Sequence, residues 1–458
     1  MRVLFFMAHA GFTRNYESLI CSLTDKGHTV TVALDRAYGD RTIDRDYPLK
    51  RLSARLEGLE VVPTPARDTY REAGQQLRVA LDYARYLDPG YAEAVKPRER
   101  ARARVPAVLA KMASLSAGRP AVERLLRAAE RSVPVTAAVS RFIVEQRPTV
   151  ALVTPLVELG SPQVDYVRAA RALGIPSALL VASWDNLTIK GGVHDSPDLV
   201  AVWNEAQKRE AVELHGIAPA RVVATGAAAY DHWFEWKPSR SREDFCRSAE
   251  LDPARPYLLY VGSSKFIAPL EPRFVEEWAR LVRASDAFSG VDILYRPHPT
   301  NAPSDEQTAL LRGLGIAVHP ASGANPTDGA RRADYFDALH FSAAVIGVST
   351  SAFIEGAILG RRPHALLGRY PESQEGTLHF KHLLEERGGP LRTAGTPKEH
   401  LDQLAETLRT DPADVRRQLR PFIERFVRPA GVEHDATGPL VSAIERLAYA
   451  ASPAPIPV

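Results

Sequence analysis

The feature that most constrains this chain is a pattern met twice: an unbroken apolar run, a turn, an amphipathic stretch, then another apolar run. The first case opens the chain. RVLFFMA (2–8) is apolar almost throughout, the signature of a strand covered on both faces. Gly11 follows, NYESLICSLTDKG carries Leu19, Ile20 and Leu23 at helical spacing and stops at Gly27, and HTVTVALD (28–35) supplies the next strand. A strand, a helix and a strand in that order begin a doubly wound parallel sheet. The second case starts at YLLYVGS (257–263), followed by the helical PRFVEEWARLVRAS and the strand VDILYRPHP.

Between these starts the alternation continues through strands TVALVTP, PSALLVAS, LVAVWN and RVVATG, with helices over 161–173 and EAQKREAVELHG. After the second start come IAVHP, a helix around 335–342, the strand AAVIGVS, the helix of GVSTSAFIEGAILGRRP, and the strand PHALLG. The expected fold class is α/β: two Rossmann-like doubly wound domains with a cleft at the carboxyl ends of their strands. The expected boundaries are 1–235, a charged and proline-marked linker at 236–255, a second domain at 256–425, and a helical tail at 426–458. Residues of about 64–148 break the alternation. They are rich in Arg and Ala and read as a basic helical insertion, peaking at KPRERARAR (96–104). Such a segment is either a solvated helical face or a surface that meets anionic lipid or a phosphorylated acceptor.

At 458 residues the chain exceeds one ordinary core, in keeping with two domains. A net charge of +3 is too balanced for bulk attraction to nucleic acid. Cys21 and Cys246 are the only cysteines, which gives neither a zinc spacing nor a disulfide framework and fits a reducing compartment. The first apolar run is short, and polar residues follow it at once. A cytoplasmic protein is expected, peripheral at the inner face of a membrane if the basic insertion meets lipid.

Candidate chemistry gathers at predicted strand ends. Ser349, Thr350 and Ser351 stand where a strand runs into a helix, and a helix amino end offers N–H groups and partial positive charge to a phosphate. Glu355 lies one turn in, within reach of a ribose. His298 and Arg296, in YRPHPTNAP, stand at another strand end and suit phosphate contact, as do Ser263, Ser264 and Lys265 in VGSSKF. Each of these also has a plain reading, as an N-cap, a packed turn histidine or a solvated loop. In the first half, His9 follows the first strand with Arg14 and Asn15 behind it, and Asp185 stands in VASWDNLTIKGG with Asn186 and Lys190 nearby. Either His9 or Asp185 can take a proton from an acceptor hydroxyl, with Arg14, Asn15, Asn186 and Lys190 on the acceptor side. Trp184 and Trp203 read as core or cleft wall.

In combination and order these pieces resemble a known family. SWDNLTIKGGV followed by PDLVAVWNEAQKREAVELHGIAPARVVATGAAAYD is similar to the end of the first domain of UDP-N-acetylglucosamine 2-epimerases. LYRPHPTNAP resembles their proline–histidine–asparagine turn. GVSTSAFIEGAILGRRP looks like their DSGG segment and the acidic helix after it, with Glu355 on the ribose-holding acid, and Gly376 and Thr377 echo a Gly–Thr pair. The histidine turn and hydroxyl-rich turn also look like those of CDP-glycerol glycerophosphotransferases and capsule-type glycosyltransferases. All share the GT-B architecture. The resemblance covers about two-thirds of the chain and omits the basic insertion. It implies a nucleoside-diphosphate donor of UDP or CDP type, with Glu372 and Gln374 on the donor sugar. Two departures stand out: GSSKF replaces the epimerases' His-Arg-Arg-Glu stretch, and Thr350 and Ser351 replace their glycine pair. These favour a metal-independent transferase, with no cofactor, acting on a glycan, lipid-linked or small-molecule acceptor. A nucleotide-sugar epimerase or hydrolase, and a non-catalytic glycan-binding or assembly protein, are the alternatives.

Overall fold

The opening run forms β1 (Arg2–Met7), and its side chains alternate between two cores. Val3, Phe5 and Met7 pack with Leu19, Ile20 and Leu23 of the helix Thr13–Asp25. Leu4 and Phe6 pack with Val139, Ile143, Tyr166 and Val167 on the opposite face. Phe6 stacks on Tyr166 with centroids 4.1 Å apart. Each of these buried rings contributes about 1.5–3 kcal/mol, so the strand is fixed by what covers it on both sides.

A computed structural model describes residues 1–35, 47–66, 69–114, 119–323, 326, 328–369 and 377–450. They fall into two compact units. The first holds the described residues of Met1–Asp231, Gly376–His379 and Glu424–Val458, and the second those of His232–Glu375 and Phe380–Ile423.

In the first unit β1 is joined by β2 (Thr29–Leu34), β3 (Leu59–Pro63), β4 (Val150–Thr154), β5 (Ser177–Leu180), β6 (Leu199–Val202) and β7 (Val222–Ala224). The seven-stranded sheet runs β3-β2-β1-β4-β5-β6-β7, all parallel. The order reverses between β1 and β4, and ligands bind at the carboxyl side of such a switch point. β3 was not legible as a strand: it is an edge strand with only Leu59 buried, so its sequence carries little apolar signal. The tail expected at 426–458 is helical over Thr437–Ala450. It belongs to the first unit, where Leu440, Val441, Ile444 and Ala448 complete the core on the Phe5 face.

The insertion is more than a solvated helical face. Its helices include Thr69–Arg85, Val95–Arg104, Ala107–Ala113, Arg119–Ser132 and Ala137–Gln146. They build a core of their own around Tyr83, Tyr86, Tyr91, Ala101, Val105 and Leu126. Several of its charges are buried as well. Fully buried Arg78 donates to Glu130 at 2.7 Å and to Asp165, and Arg168 donates to Glu130 at 2.6 Å. Burial pushes the Glu130 carboxyl up, but the Arg168 and Arg78 hydrogen bonds hold it below its usual range. Asp82, also fully buried, accepts from Gly160 N at 2.8 Å and Gly192 N at 2.6 Å, and contacts His194 Nε2 at 2.9 Å. The basic composition is thus partly consumed in tying the insertion to the sheet's helices.

The second unit holds β8 (Tyr257–Val261), β9 (Asp292–Arg296), β10 (Ile316–Val318), β11 (Ala344–Ile346), β12 (Arg362–Leu366) and β13 (Arg392–Ala394). Their order is β10-β9-β8-β11-β12-β13, again parallel, with a switch point between β8 and β11. The helix Glu271–Arg283 covers one face with Phe274, Val275, Trp278 and Val282. The expected linker at 236–255 is instead part of this unit. Its helix Arg242–Ser248 buries Phe245 and Cys246, with Phe245 stacked on Tyr257, and Ser239 donates from both N and Oγ to Asp337. Charged and proline-rich composition marked a surface segment but hid the two apolar residues that anchor it. Among the described residues no helix is long and apolar enough to cross a membrane.

Candidate functional site

The second unit's switch point is built from three loops that lock together. β8 is followed by Gly262, where a Cβ would lie 2.9 Å from His298 N and 3.2 Å from Pro297 Cα. Only glycine lets the loops after β8 and β9 approach so closely. Gly347, after β11, is similar: a Cβ there would sit 3.0 Å from Val261 O. Ser263 Oγ donates to Ser349 O at 3.3 Å and accepts from Ser349 N at 3.4 Å, joining the β8 and β11 loops reciprocally. Asn301 Nδ2 ties the β9 loop to the same place by donating to Ser263 O at 3.2 Å and Ala268 O at 2.8 Å.

Beneath this junction lies Glu271, fully buried. It accepts from Ser263 N and, at 3.1 Å, from Tyr260 Oη. Burial pushes its carboxyl up to about 7, against the pull of those hydrogen bonds. Glu271 gives no signal in the sequence because it stands in a helix away from any strand end, and Asn301, within the YRPHPTNAP turn, is not marked out because its role is to bridge two distant carbonyls. Their signal is three-dimensional.

Above the junction, Thr350 Oγ1 accepts from Ala352 N at 3.2 Å. Ser351 is exposed at the amino end of the helix Ala352–Ile358, with no side-chain cap hydrogen bond. Among the described residues nothing accepts from the Thr350 and Ser351 N–H groups. His298 Nδ1 accepts from Thr300 N at 3.1 Å, which places the ring proton on Nε2. Glu355, half-buried in the first helical turn, accepts from Tyr335 Oη. The residues thus brought together are Ser263, His298, Ser349, Thr350, Ser351 and Glu355.

Two expectations here need correction, those for Arg296 and Ser263. Arg296 is not turned toward a phosphate: it is buried, pairs with Asp334 at 2.7 Å and lies over the Tyr335 ring at 5.6 Å. Burial acts against the Asp334 charge, but hydrogen bonds and charge from His319 and Arg296 hold its carboxyl well below the usual range. Ser263 spends its hydroxyl on Ser349's backbone. Ser264 carries its load through its carbonyl, which accepts from Ile267 and Ala268, and Lys265 is exposed. Glu372, Gln374 and Gly376 lie outside the described residues.

In the first unit, His9 follows β1 as the cap of the short helix Ala10–Phe12. Its Nδ1 accepts from Gly11 N at 3.1 Å, so its proton also sits on Nε2. Asp185 is half-buried at the start of the helix Asn186–Ile189, and its carboxylate accepts from Asn186 Nδ2 at 3.4 Å. Asn15 and Asn186 hold backbone and are not acceptor-facing groups: Asn15 donates to Ala182 O at 3.0 Å, and buried Asn186 accepts from Ala182 N at 3.1 Å. Lys190 is paired with Glu158 at 2.9 Å, while Arg14 is exposed. Trp184 and Trp203 are buried.

A histidine that no motif marks, His379, stands beside Asp185's helix. Thr188 Oγ1 donates to Asp185 O at 3.0 Å, so at its 3.1 Å contact with His379 Nδ1 the imidazole is the donor. The other ring nitrogen, Nε2, is then unprotonated. Trp184 packs edge-on to His379 at 4.5 Å. Among the described residues no group of three His, Cys, Asp or Glu is placed to hold a metal ion.

No protein-family model and no curated protein matches the chain. Its structure is similar to UDP-GlcNAc 2-epimerase from Neisseria meningitidis bound to UDP-GlcNAc, with TM-score 0.55 and 10% identity over 97% of this chain and 100% of that one. It is also similar to a glycosyltransferase from Rickettsia africae, with TM-score 0.53 and 10% identity over 97% and 98%. A third similar structure is CalG4, the calicheamicin glycosyltransferase, with TM-score 0.51 and 13% identity over 99% of each chain. Identities this low speak to the fold alone. With two parallel sheets, each reversing order at its own switch point, this chain has the GT-B fold.

Proposed function

We propose that this protein is a metal-independent glycosyltransferase that moves a sugar or polyol phosphate from a nucleoside-diphosphate donor, of UDP or CDP type, to a glycan, lipid-linked or small-molecule acceptor. The observation that carries this reading is the junction of the β8 and β11 loops. It fixes the backbone so that the Thr350 and Ser351 N–H groups have no acceptor within the described residues. Donors held in that way suit a diphosphate. His298 contributes its Nε2–H, and Glu355, steadied by Tyr335, accepts from a ribose hydroxyl. A structural neighbour that holds UDP-GlcNAc agrees with a nucleotide sugar as ligand.

In sugar transfer, a single displacement, the acceptor oxygen attacks the donor's anomeric carbon and the nucleoside diphosphate leaves; in polyol-phosphate transfer it attacks the donor's distal phosphorus and the nucleoside monophosphate leaves. A base on the first unit takes the acceptor's proton, and the bond to the leaving oxygen breaks. The leaving nucleotide carries away the electron pair, and its charge is met by the N–H groups and His298 without a metal. Asp185 and His379 are the candidates for the base, His379 because its Nε2 is an acceptor in the neutral ring, whereas His9 carries its proton on Nε2 and engages Nδ1 with Gly11 N.

The epimerase reading draws on the 2-epimerase neighbours. It is weakened by GSSKF, which offers no histidine or acid where epimerases carry ionisable groups. A thermal-shift screen with UDP, CDP and GDP tests the cradle: at least one should raise the melting temperature. Incubation with the matching nucleotide sugar, without acceptor, should then leave the sugar largely unchanged. Steady conversion to its epimer would replace the transferase reading with the epimerase one.

A further inference from the structure

The first unit contains a polar cavity, formed where the insertion meets the sheet's helices. It measures about 1000 Å³ and is lined by Arg85, Arg127, Arg131, Arg168, Arg171 and Arg221. These arginines are not equally committed. Arg168 is spent on Glu130 and Asp195 at 2.6 and 2.8 Å, and Arg171 on Asp195 and Ser196 O. Arg221 makes a long contact of 3.3 Å to Pro197 O. Arg127 and Arg131, one turn apart on the helix Arg119–Ser132, are exposed and have no ion-pair partner among the described residues.

Arg85 is the informative member. Its Nε donates to Tyr91 Oη at 2.6 Å and its Nη2 to Leu187 O at 3.1 Å. Its Nη1 is buried and has no hydrogen-bond partner. Nη1 itself is enclosed, but Arg85 lines the cavity and has no ion-pair partner among the described residues, so its charge is left for an anion in the cavity to balance. The guanidinium fork suits a carboxylate or phosphate. Asp88, Glu123 and Glu213 face the same space. Carboxylates beside arginines fit a ligand with hydroxyls to donate as well as an anion to bind. The volume is far larger than a bare phosphate needs.

We propose that this cavity binds an anionic carbohydrate, a sugar bearing a phosphate or a carboxylate, at a site separate from the nucleotide cradle. The anion meets the Arg127 and Arg131 guanidiniums, with the Arg85 charge beside them, and the ring hydroxyls meet the acidic wall. The inference is independent of the nucleotide reading, since no residue is shared between the two sites.

Calorimetric titration of the full chain with glucose 6-phosphate, glucuronate and uncharged glucose tests it. At least one anionic sugar should bind saturably, and glucose should not. The double variant Arg127→Glu/Arg131→Glu changes exposed residues only and should weaken that binding by about tenfold or more. Arg85→Lys, which keeps the charge but loses the fork, should weaken it too, with the melting temperature showing that both variants fold. The proposal fails if neither anionic sugar saturates by about 10 mM, if glucose binds as well as they do, or if Arg127→Glu/Arg131→Glu leaves the affinity unchanged.

Discussion

The two units share a winding rule and use it differently. Each reverses strand order beside its first strand, β1 or β8, and each places candidate chemistry there. In the second unit the loops at that point are cross-braced, with Ser263 and Ser349 bonded reciprocally, Asn301 spanning two carbonyls, and two glycines allowing close backbone approach. In the first unit the bracing falls on the Ala182 backbone, through Asn15 and Asn186, and half-buried side chains, His9 and Asp185, stand beside it. One unit therefore presents a fixed arrangement of backbone donors, suited to holding charge. The other presents ionisable side chains, suited to moving a proton. The contrast predicts that changes in the second unit act on binding and changes in the first act on turnover.

The largest effect should come from the base. Replacing Asp185 with Asn or His379 with Gln should, for the true base, lower kcat by about 10²–10⁴-fold. Donor affinity, read by calorimetry with the nucleoside diphosphate, should stay unchanged. Equal loss of donor affinity would break the division between the units.

A smaller but opposite pattern is expected at Gly262→Ala. The new Cβ would meet His298 N at 2.9 Å, a backbone atom that cannot swing aside. Prising the β8 and β9 loops apart should cost about 1–3 kcal/mol of stability and weaken nucleotide binding by roughly tenfold or more. Retained affinity would show that the glycine contact is not what shapes the cradle.

The smallest effect on function is expected at Glu271, which sets a pH dependence of stability alone. Its native carboxyl is pushed up to about 7 from an ordinary 4.5. The unfolded chain therefore releases this proton first as pH rises, while the native state still holds it. This group's stabilising contribution is fully present below about 4.5, declines toward 7 and is lost beyond it, an effect on the order of 3 kcal/mol at most. Chemical denaturation across that window should show the decline, and Glu271→Gln should flatten it. An equal slope in the variant would assign the titration to another group.

The sequence by itself determined the class of both sheets and most of their strands. Runs such as RVLFFMA and YLLYV are buried on both faces, and that leaves an unbroken apolar signal in the chain. It also placed Ser349, His298 and Asp185 correctly at strand ends, because turns and helix starts have local residue preferences. Only the tertiary structure decided which way those side chains turn. Arg296 went to Asp334, Ser263 to the Ser349 backbone and Lys190 to Glu158, because each met a partner distant in sequence. The same holds for β3, whose edge position needs little apolar surface, for the 236–255 segment anchored by Phe245 and Cys246, and for the tail that closes the first core. Periodicity records how much of an element is covered. It does not record what covers it, and hydrogen bonds between distant segments have no period at all.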